Sequence, residues 1–359
     1  MFPIVMGKLR LKGGKSLKVG VLTGGGDAPG LNATIRAIVR KCEKYGFEVI
    51  GIRYGWAGLL ELDTMKLKYD DIKDIIHKGG TIIKTSRTNP IKMQDGIKKA
   101  SQNFKKLGLD ALIAIGGDDT LSVAAALSEV GLNVVGIPKT IDYDVPETEF
   151  TIGFDSAINL AMRTIENLQD TAESHDRVFV VEIMGRHAGW IALYSGLAAG
   201  VDLILIPEEP FSVKDVANFV KKKTSKKGGQ SVIIVVAEGA VIKDYEGPVT
   251  KDTSVDQFGH VRLGGIGEFL AKEIEKATGA ETRAVVPAHT IRGGPPTAMD
   301  RLIPTRYGLA AVDLVKQGKF GYMVALKAGE IVPVPLSKAT GKTKTVNKEL
   351  YEEAKIFFE

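Results

Sequence analysis

The sequence has almost no cysteine and no long hydrophobic run. Cys42 is the only cysteine among 359 residues, which excludes a disulfide framework and a cysteine-based zinc site within one chain. No run approaches the ~18 consecutive apolar residues of a transmembrane helix, and the apolar residues 1–6 are too few for a signal-peptide core. We therefore expect an intracellular, cytoplasmic protein that does not enter a membrane.

Charge of one sign is also scarce. The 48 basic residues exceed the 43 acidic residues by only five, and the basic N-terminal stretch lacks the interleaved aromatic residues of a nucleic-acid site. We expect no nucleic-acid partner, and we assign no function to residues 1–17, an N-terminal extension.

Glycine is in excess, since 41 glycines are about 11% of the chain compared with ~7% in average proteins. They follow apolar runs, which indicates loops where the backbone approaches a ligand.

Short Val- and Ile-rich runs alternate with helical patterns along most of the chain. Continuous apolar runs are typical of strands covered on both faces, and their alternation with helices predicts βαβ units. We predict an α/β fold of two similar doubly wound, Rossmann-like lobes with mostly parallel sheets and an active site in the cleft between them. The predicted strands are 18–23, 49–54, 111–115, 133–138, 178–184, 203–207, 231–237, 282–287 and 323–326. The predicted helices include 31–45, 120–130, 156–172, 213–224 and 266–277.

The first predicted strand leads into the glycine run Gly24–Gly26 and then a helix. Bare backbone amides and a helix N-terminus form a cradle for anions. The dinucleotide-binding fingerprint fails because Pro29 replaces its last glycine, and the Walker pattern fails because Leu31 and Asn32 stand in place of Lys and Ser/Thr. A tight turn without a ligand remains the alternative.

Carboxylates and a lysine follow the third and fourth predicted strands. Asp118 and Asp119 repel each other where we expect a helix to open at Thr120, which favours a bound cation such as Mg²⁺. The alternative makes Asp119 only the N-cap of that helix. Lys139 and Asp142 offer a cation for phosphate and a carboxylate that accepts a proton; the alternative for Lys139 is a surface ion pair with Asp144.

Arginines recur near the ends of the later strands. The guanidinium group matches phosphate oxygens, so together these arginines favour a phosphorylated substrate, although each alone is more often a structural residue. The polar residues near these strand ends are Arg177, Arg186, Glu238, Arg283, His289 and Arg292. The lysine-rich run 221–227 is predicted to be a solvated helix end, with an anionic effector as the alternative.

Five ordered motifs between about residues 18 and 301 resemble those of the 6-phosphofructokinase family. They are residues 22–32 (LTGGGDAPGLN), 116–120 (GGDDT), 138–142 (PKTID), 184–189 (MGRHAG) and 292–294 (RGG). The resemblance implies phosphoryl transfer to the 1-hydroxyl of fructose 6-phosphate with Mg²⁺, in glycolysis or gluconeogenesis. It also implies a two-lobed protein that forms a homodimer or homotetramer whose sites are completed across subunits.

The resemblance also implies roles for individual residues and lobes. Asp142 matches the catalytic base, Asp118 the Mg²⁺ ligand, and Gly26 and Arg87 the contacts to the phosphoryl donor. Positions that match contacts to fructose 6-phosphate are Thr140, Asp142, Arg177, Met184, Gly185, Arg186, Glu238, Arg283, His289 and Arg292, of which Arg177 and Arg283 reach a neighbouring subunit. The donor and Mg²⁺ lobe is then residues 18–150, completed by part of 293–340, and the fructose 6-phosphate lobe is 151–292, completed by part of 341–359.

Two positions indicate which phosphoryl donor the protein uses. Asp119 and Lys139 replace glycines that are usual in ATP-using members, as in the pyrophosphate-dependent members that this sequence resembles most. A carboxylate at Asp119 repels the α-phosphate of ATP, while Lys139 supplies charge for a small, highly charged donor. Asp119, Lys139 and Asp142 are therefore the predicted catalytic set. Some ATP-using relatives also carry the lysine, so Asp119 is the stronger evidence for pyrophosphate as the donor.

One position departs from the family pattern. Tyr143 stands where the family usually has Asn, which leaves Asp142 and Asp144 in place.

Three other functions are alternatives to the pyrophosphate-dependent reaction. The nearest alternative is an ATP-dependent 6-phosphofructokinase on the same fold. A sugar-phosphate sensor without catalysis and a nicotinamide-dependent oxidoreductase are more distant alternatives.

Overall fold

The chain forms alternating strands and helices throughout most of its length. The computed structural model describes residues 16–225, 231–243, 250–255, 261–263 and 265–358. Most of the N-terminal extension and the last two lysines of the run 221–227 lie outside the described residues. The strands are β1 (Lys18–Thr23), β2 (Glu48–Ile52), β3 (Thr64–Leu67), β4 (Ala111–Gly116), β5 (Val134–Pro138), β6 (Val178–Ile183), β7 (Leu203–Leu205), β8 (Val232–Ala237), β9 (Thr250–Val255), β10 (Val261–Leu263), β11 (Thr282–Val285), β12 (Tyr322–Lys327) and β13 (Glu330–Pro335).

Helices connect most of the strands. They are α1 (Leu31–Tyr45), α2 (Trp56–Glu61), α3 (Tyr69–Ile72), α4 (Gly96–Lys106), α5 (Asp118–Glu129), α6 (Phe154–His175), α7 (Trp190–Ala199), α8 (Val213–Thr224), α9 (Ile266–Thr278), α10 (Met299–Gln317), α11 (Leu336–Ala339) and α12 (Lys348–Lys355). Short 3₁₀ turns cover Pro90–Lys92 and Ala288–Arg292. No helix in the described part of the chain is both long and apolar enough to cross a membrane.

The sheets are mostly parallel, which confirms the predicted α/β class. One sheet has the strand order β13-β12-β5-β4-β1-β2-β3, and its antiparallel pairs lie only at the two edges. A second sheet, β11-β6-β8-β7, is parallel throughout. Strands β9 and β10 pair with each other as an antiparallel ribbon.

The chain divides into two compact units. Unit 1 comprises the described parts of Met1–Ile141, Val145–Asp155 and Arg292–Lys342, and unit 2 those of Asp142–Asp144, Ser156–Ile291 and Thr343–Glu359. Unit 1 contains the seven-stranded sheet, and unit 2 contains the four-stranded sheet.

Alternating side chains of the unit 1 sheet fill two cores. Val21 and Ile113 pack on one face with α1 and α10, while Leu22 and Leu112 pack on the other face. All four are fully buried, and burying a side chain of this size stabilises the fold by about 1.5–3 kcal/mol. In unit 2, α8 and α9 pack against β6 and β8. The sheets are thus rigid supports for the loops at their ends.

Two predicted helix starts are wrong by a few residues. Helix α5 begins at Asp118 with Gly117 as its N-cap, not at Thr120. Helix α6 begins at Phe154 rather than at residue 156. In both cases the helix extends back into the loop at its N-terminus, so Asp118 and Asp119 lie in a helical first turn.

Candidate active site

The glycine loop after β1 is held by backbone hydrogen bonds in unit 1. The amide of Gly24 donates to the carbonyl of Ile115 and that of Gly25 to the carbonyl of Ser86, each at 2.9 Å. A Cβ atom at position 24 would lie 2.5 Å from Oγ1 of Thr120. The loop therefore packs so closely against the start of α5 that position 24 requires glycine.

Two cationic side chains converge on Gly26. The buried amine of Lys139 donates to the carbonyl of Gly26 at 2.5 Å. A Cβ atom at position 26 would lie 2.5 Å from Nη1 of Arg292, and the buried Nε of Arg292 has no hydrogen-bond partner among the described residues. This concentration of positive charge is suited to a phosphate group.

The two adjacent aspartates lie in the first turn of α5, where the helix dipole favours negative charge. Oδ1 of Asp118 accepts a hydrogen bond from the amide of Gly341 at 2.8 Å. Oδ1 of Asp119 accepts one from Nδ2 of Asn89 at 2.8 Å, and Nζ of Lys92 lies 3.9 Å from the same oxygen. The capping alternative for Asp119 is wrong, because Gly117 is the N-cap.

The surroundings of Asp118 would suit a bound cation. Desolvation raises the pKa of its carboxyl, the Gly341 amide opposes this shift, and the charge of Asp119 adds to it. A bound cation would relieve both the desolvation and the repulsion. Within the described residues no three His, Cys, Asp or Glu side chains form a metal cage. One or two carboxylates together with water and phosphate oxygens are the usual Mg²⁺ shell, so Asp118 and Asp119 fit this ion.

The segment of residues 85–89 connects the glycine loop to the aspartates. Oγ1 of Thr85 donates to the carbonyl of Gly25 at 2.7 Å, and Asn89 at the other end bonds Asp119. Arg87 lies midway between these two anchors. The structure therefore holds Arg87 in the stretch of chain that joins two predicted parts of the donor site.

Asp142 belongs to a turn of unit 2, whereas Thr140 belongs to unit 1. The carbonyl of Thr140 accepts a hydrogen bond from Oγ1 of Thr151 at 2.8 Å. Asp142 is half-buried, and the next residue, Tyr143, has the left-handed φ of 57°. The carbonyl of Asp144 accepts a hydrogen bond from the amide of Lys344 at 2.8 Å.

Four predicted substrate residues of unit 2 follow the carboxyl ends of neighbouring strands. Met184, Gly185 and Arg186 follow β6, and Glu238 follows β8. The amide of Gly239 donates to the carbonyl of Gly185 at 3.1 Å, so these two loops are in contact. His289 is exposed and follows the adjacent strand β11, in the 3₁₀ turn that Arg292 ends.

Arg177 and Arg283 lie at the amino ends of the strands of the same sheet, opposite the carboxyl ends that carry Met184 and Glu238. Arg177 precedes β6, and Arg283 pairs in register with Phe179 at the start of that strand. The six residues of β6 separate these arginines from Met184 by about 20 Å. Both arginines bind Glu281, with N–O distances of 3.0 and 2.8 Å, and the Arg177 hydrogen bond is the main cause that lowers the pKa of Glu281.

Some residues at the candidate site carry no signal in the sequence. Asn89 bonds Asp119 across 30 residues and the Gly341 amide bonds Asp118 across 223 residues. Neither residue belongs to a recognisable motif. Only the folded sheet brings them to the end of β4, so a single sequence does not reveal them.

A glycine cradle, two convergent cations and paired carboxylates at the ends of parallel strands are typical of α/β proteins that handle phosphorylated ligands. The chain belongs to the phosphofructokinase family, whose model, described as "Phosphofructokinase", matches residues 18–315. This confirms the family resemblance of the sequence motifs.

Curated relatives share about half of the residues. The chain is 52% identical over 342 residues to the pyrophosphate–fructose 6-phosphate 1-phosphotransferase of Dictyoglomus thermophilum, covering 95% of this chain and 99% of the relative. It is 54% identical over 344 residues to the protein of the same name from Streptomyces coelicolor, covering 95% and 100%. An ATP-dependent 6-phosphofructokinase of Mycobacterium leprae is 46% identical over 345 residues, covering 95% and 100%.

Solved structures of the family share the fold. A phosphofructokinase from Pichia pastoris in the T-state superimposes with a TM-score of 0.80 and 32% identity, covering 90% of this chain and 35% of that one. A pyrophosphate-dependent phosphofructokinase from Marinobacter aquaeolei has a TM-score of 0.80 and 22% identity, covering 93% and 86%.

Proposed function

We propose that this protein transfers a phosphoryl group from pyrophosphate to the 1-hydroxyl of fructose 6-phosphate, giving fructose 1,6-bisphosphate and phosphate. The observation that carries the choice of donor is Asp119 in the first turn of α5, together with buried Lys139, whose amine bonds to the carbonyl of Gly26. The names of the relatives at 52–54% identity support it. We place the reaction in the cytoplasm, within glycolysis or gluconeogenesis.

The donor side uses residues of unit 1. Gly26, Arg87 and Lys139 bind pyrophosphate, and Asp119 excludes the longer triphosphate because its charge repels an α-phosphate. Arg292 completes the positive environment at Gly26. Phosphoryl transfer needs alignment and neutralisation of charge more than covalent chemistry, and these residues supply both.

Asp118 would hold Mg²⁺ on the donor side. When bound, this ion neutralises charge that develops on the transferred group. Asp119 contributes negative charge beside it, and its hydrogen bond from Asn89 fixes the orientation of the Asp119 carboxylate.

The acceptor side uses Asp142 as the general base. Its carboxylate takes the proton of the 1-hydroxyl as that oxygen attacks the terminal phosphorus, and the bond to the bridging oxygen of pyrophosphate breaks to release phosphate. The sugar phosphate is bound by Thr140, Met184, Gly185, Arg186, Glu238, His289 and Arg292. Pyrophosphate and the bisphosphate product are closer in transfer potential than ATP and that product, so the reaction is reversible.

The position of Arg177 and Arg283 supports an oligomer with shared sites. They lie at the amino ends of the strands whose carboxyl ends carry Met184 and Glu238, and both bind Glu281. Arg283 also lies 4.0 Å from Oε1 of Glu275, and both arginine side chains remain partly exposed, so each can still reach an anion. We propose that in a homodimer or homotetramer they bind the 6-phosphate in the site of a neighbouring subunit.

An ATP-dependent 6-phosphofructokinase is the second candidate, favoured by the relative at 46% identity. Initial rates on fructose 6-phosphate with Mg²⁺ and either pyrophosphate or ATP decide between the two. We expect turnover with pyrophosphate and little with ATP. Turnover with ATP alone would contradict the proposed donor.

Two variants of Asp119 test its role as the element that selects the donor. Asp119→Gly removes the carboxylate, and Asp119→Asn removes only its charge. We expect both to gain activity with ATP, since repulsion of the α-phosphate is the obstacle. If only the glycine variant gained ATP activity, bulk rather than charge would be the cause.

A further inference from the structure

The C-terminal segment of residues 343–346 contacts one turn of unit 2 that carries a proposed acceptor residue and is linked to a second such loop through Glu208. The amide of Lys344 donates to the carbonyl of Asp144 at 2.8 Å. The amide of Val346 donates to Oε1 of Glu208 at 2.9 Å, and the same carboxylate accepts from the amide of Gly189 at 3.0 Å. Gly189 ends the loop that begins with Met184. Four residues thus connect the Asp142–Asp144 turn to the loop that contains Arg186.

Tyr143 occupies a backbone conformation that suits its side chain poorly. Its φ of 57° lies in the left-handed region, which a bulky aromatic residue adopts only with backbone strain. Asparagine, the usual residue of the family at this position, tolerates this region well. Contacts of the tyrosine ring must therefore offset a penalty that asparagine would reduce.

The ring contacts involve Lys344 and Trp190. Nζ of Lys344 lies 3.3 Å from the centroid of the Tyr143 ring and 5.5 Å from the Trp190 ring. The two rings meet edge to face, with centroids 5.3 Å apart and planes at 86°. Nε1 of Trp190 donates to the carbonyl of Lys344 at 2.8 Å. Trp190 is 5% exposed and begins α7, so the cluster is fixed to a buried helix.

We propose that Lys344 and Tyr143 are positioning residues for the acceptor side of the reaction: the Lys344 ammonium holds the Tyr143 ring against Trp190 and thereby fixes the turn that carries Asp142. This inference rests on the proposed function, in which Asp142 is the base. Asp142 and Tyr143 share one peptide unit, so the conformation of Tyr143 determines where the Asp142 backbone lies. A displacement of about 1 Å at such a group can cost a hundredfold in rate.

The test uses the full-length protein and two pairs of variants. Lys344→Gln removes the cation but leaves the backbone bonds to Asp144 and Trp190, whereas Lys344→Arg keeps the cation. Tyr143→Asn removes the ring but favours the left-handed backbone, whereas Tyr143→Phe keeps the ring. Steady-state kcat and KM are measured for both substrates, with thermal melting as the control for folding.

We expect Lys344→Gln and Tyr143→Asn each to lower kcat by about 3- to 30-fold, the range that a cation–π contact of ~0.7–2 kcal/mol allows. The KM for pyrophosphate is expected to stay unchanged, because its site consists of unit 1 residues. Lys344→Arg and Tyr143→Phe should keep kcat within about twofold of wild type. The double variant Lys344→Gln/Tyr143→Asn should lose no more kcat than the more damaging of the two single variants, since both changes break the same contact.

Three results would overturn the inference. If Tyr143→Asn kept the wild-type kcat, the backbone conformation would suffice and the ring would have no positioning role. If the losses of the two single variants multiplied in the double variant, Lys344 and Tyr143 would act independently. A uniform fall in melting temperature with unchanged kcat would equally assign them a structural role only.

The wild-type protein separates failure of this inference from failure of the proposed function. If it used ATP rather than pyrophosphate, the proposed donor would be wrong, and the same variants would be compared with ATP because the cluster acts on the acceptor side. If it turned over neither donor, both proposals would fall. If it used pyrophosphate and Lys344→Gln did the same at an equal kcat, only the positioning role would be lost.

Discussion

At the scale of single residues, the proposed chemistry depends most on the Asp142 carboxylate. Asp142→Asn keeps the shape of the side chain but cannot accept a proton at neutral pH. We expect kcat to fall by about 10²- to 10⁴-fold, the usual contribution of a general base, while the KM for fructose 6-phosphate changes little. Steady-state rates measure both constants.

Asp70→Asn is the matched control for that change, because the Asp70 side chain is 87% exposed. It should leave kcat unchanged. Equal rates for Asp142→Asn and Asp70→Asn would show that Asp142 is not the base.

Cys42 gives a prediction that is independent of function. Burial in α1 raises the pKa of its thiol to about 12, so the reactive thiolate is nearly absent from the folded protein at pH 8. We expect no labelling by a thiol reagent at pH 8 and one labelled thiol per chain in denaturant, as measured by mass. Rapid labelling of the native protein would contradict the buried position.

Residues within motifs are predictable from the sequence, but their distant partners are not. The glycine loop, Asp118 and Asp142 are recognisable because their chemistry repeats over a few neighbouring residues. The contact of Lys344 with Tyr143 joins residues about 200 positions apart and depends on the folded unit. A lysine in a C-terminal segment is indistinguishable from a solvated one in the sequence.

At the scale of elements, burial decides which strands the sequence reveals. All nine predicted strands are present with ends that shift by a few residues, because strands buried on both faces are continuously apolar. The edge strands β3 and β13 were not predicted, since they carry exposed residues such as Lys66 and Glu330. Helix α10 is not among the helices named from the sequence; Pro304 lies within it, and proline argues against a helix interior.

The contact between α1 and α10 yields a prediction in which two effects compete. A Cβ atom at Gly308 would lie 2.7 Å from the carbonyl oxygen of Thr34 and 2.9 Å from Cβ of Ala37. Gly308→Ala improves helix propensity by about 1 kcal/mol, but overpacking costs about 1–3 kcal/mol or more. We expect a net loss of stability in urea unfolding. A gain of about 1 kcal/mol would show that the helices can separate at no cost.

At the scale of the whole molecule, shared sites predict complementation between two defective chains. Arg177→Ala removes the contribution to a neighbour, and Asp142→Asn removes the base of the chain's own site. In a mixed dimer, one site receives Asp142 from one chain and Arg177 from the other, so it is intact.

The two variant chains are co-expressed in equal amounts. This should restore about one quarter of the wild-type activity, because half of the dimers are mixed and each mixed dimer has one intact site of two. Each variant expressed alone is the control and should remain weakly active. Activity of the mixture that merely averages the two controls would place Arg177 outside the neighbour's site.

The reverse reaction tests the central claim most directly, because it identifies the phosphoryl donor as a product. The purified protein is incubated with fructose 1,6-bisphosphate, phosphate and Mg²⁺, and ³¹P NMR follows the products. We predict a pyrophosphate resonance that grows together with fructose 6-phosphate. If pyrophosphate did not form while ADP in place of phosphate gave ATP, the protein would be an ATP-dependent phosphofructokinase and the assignment of Asp119 would be wrong.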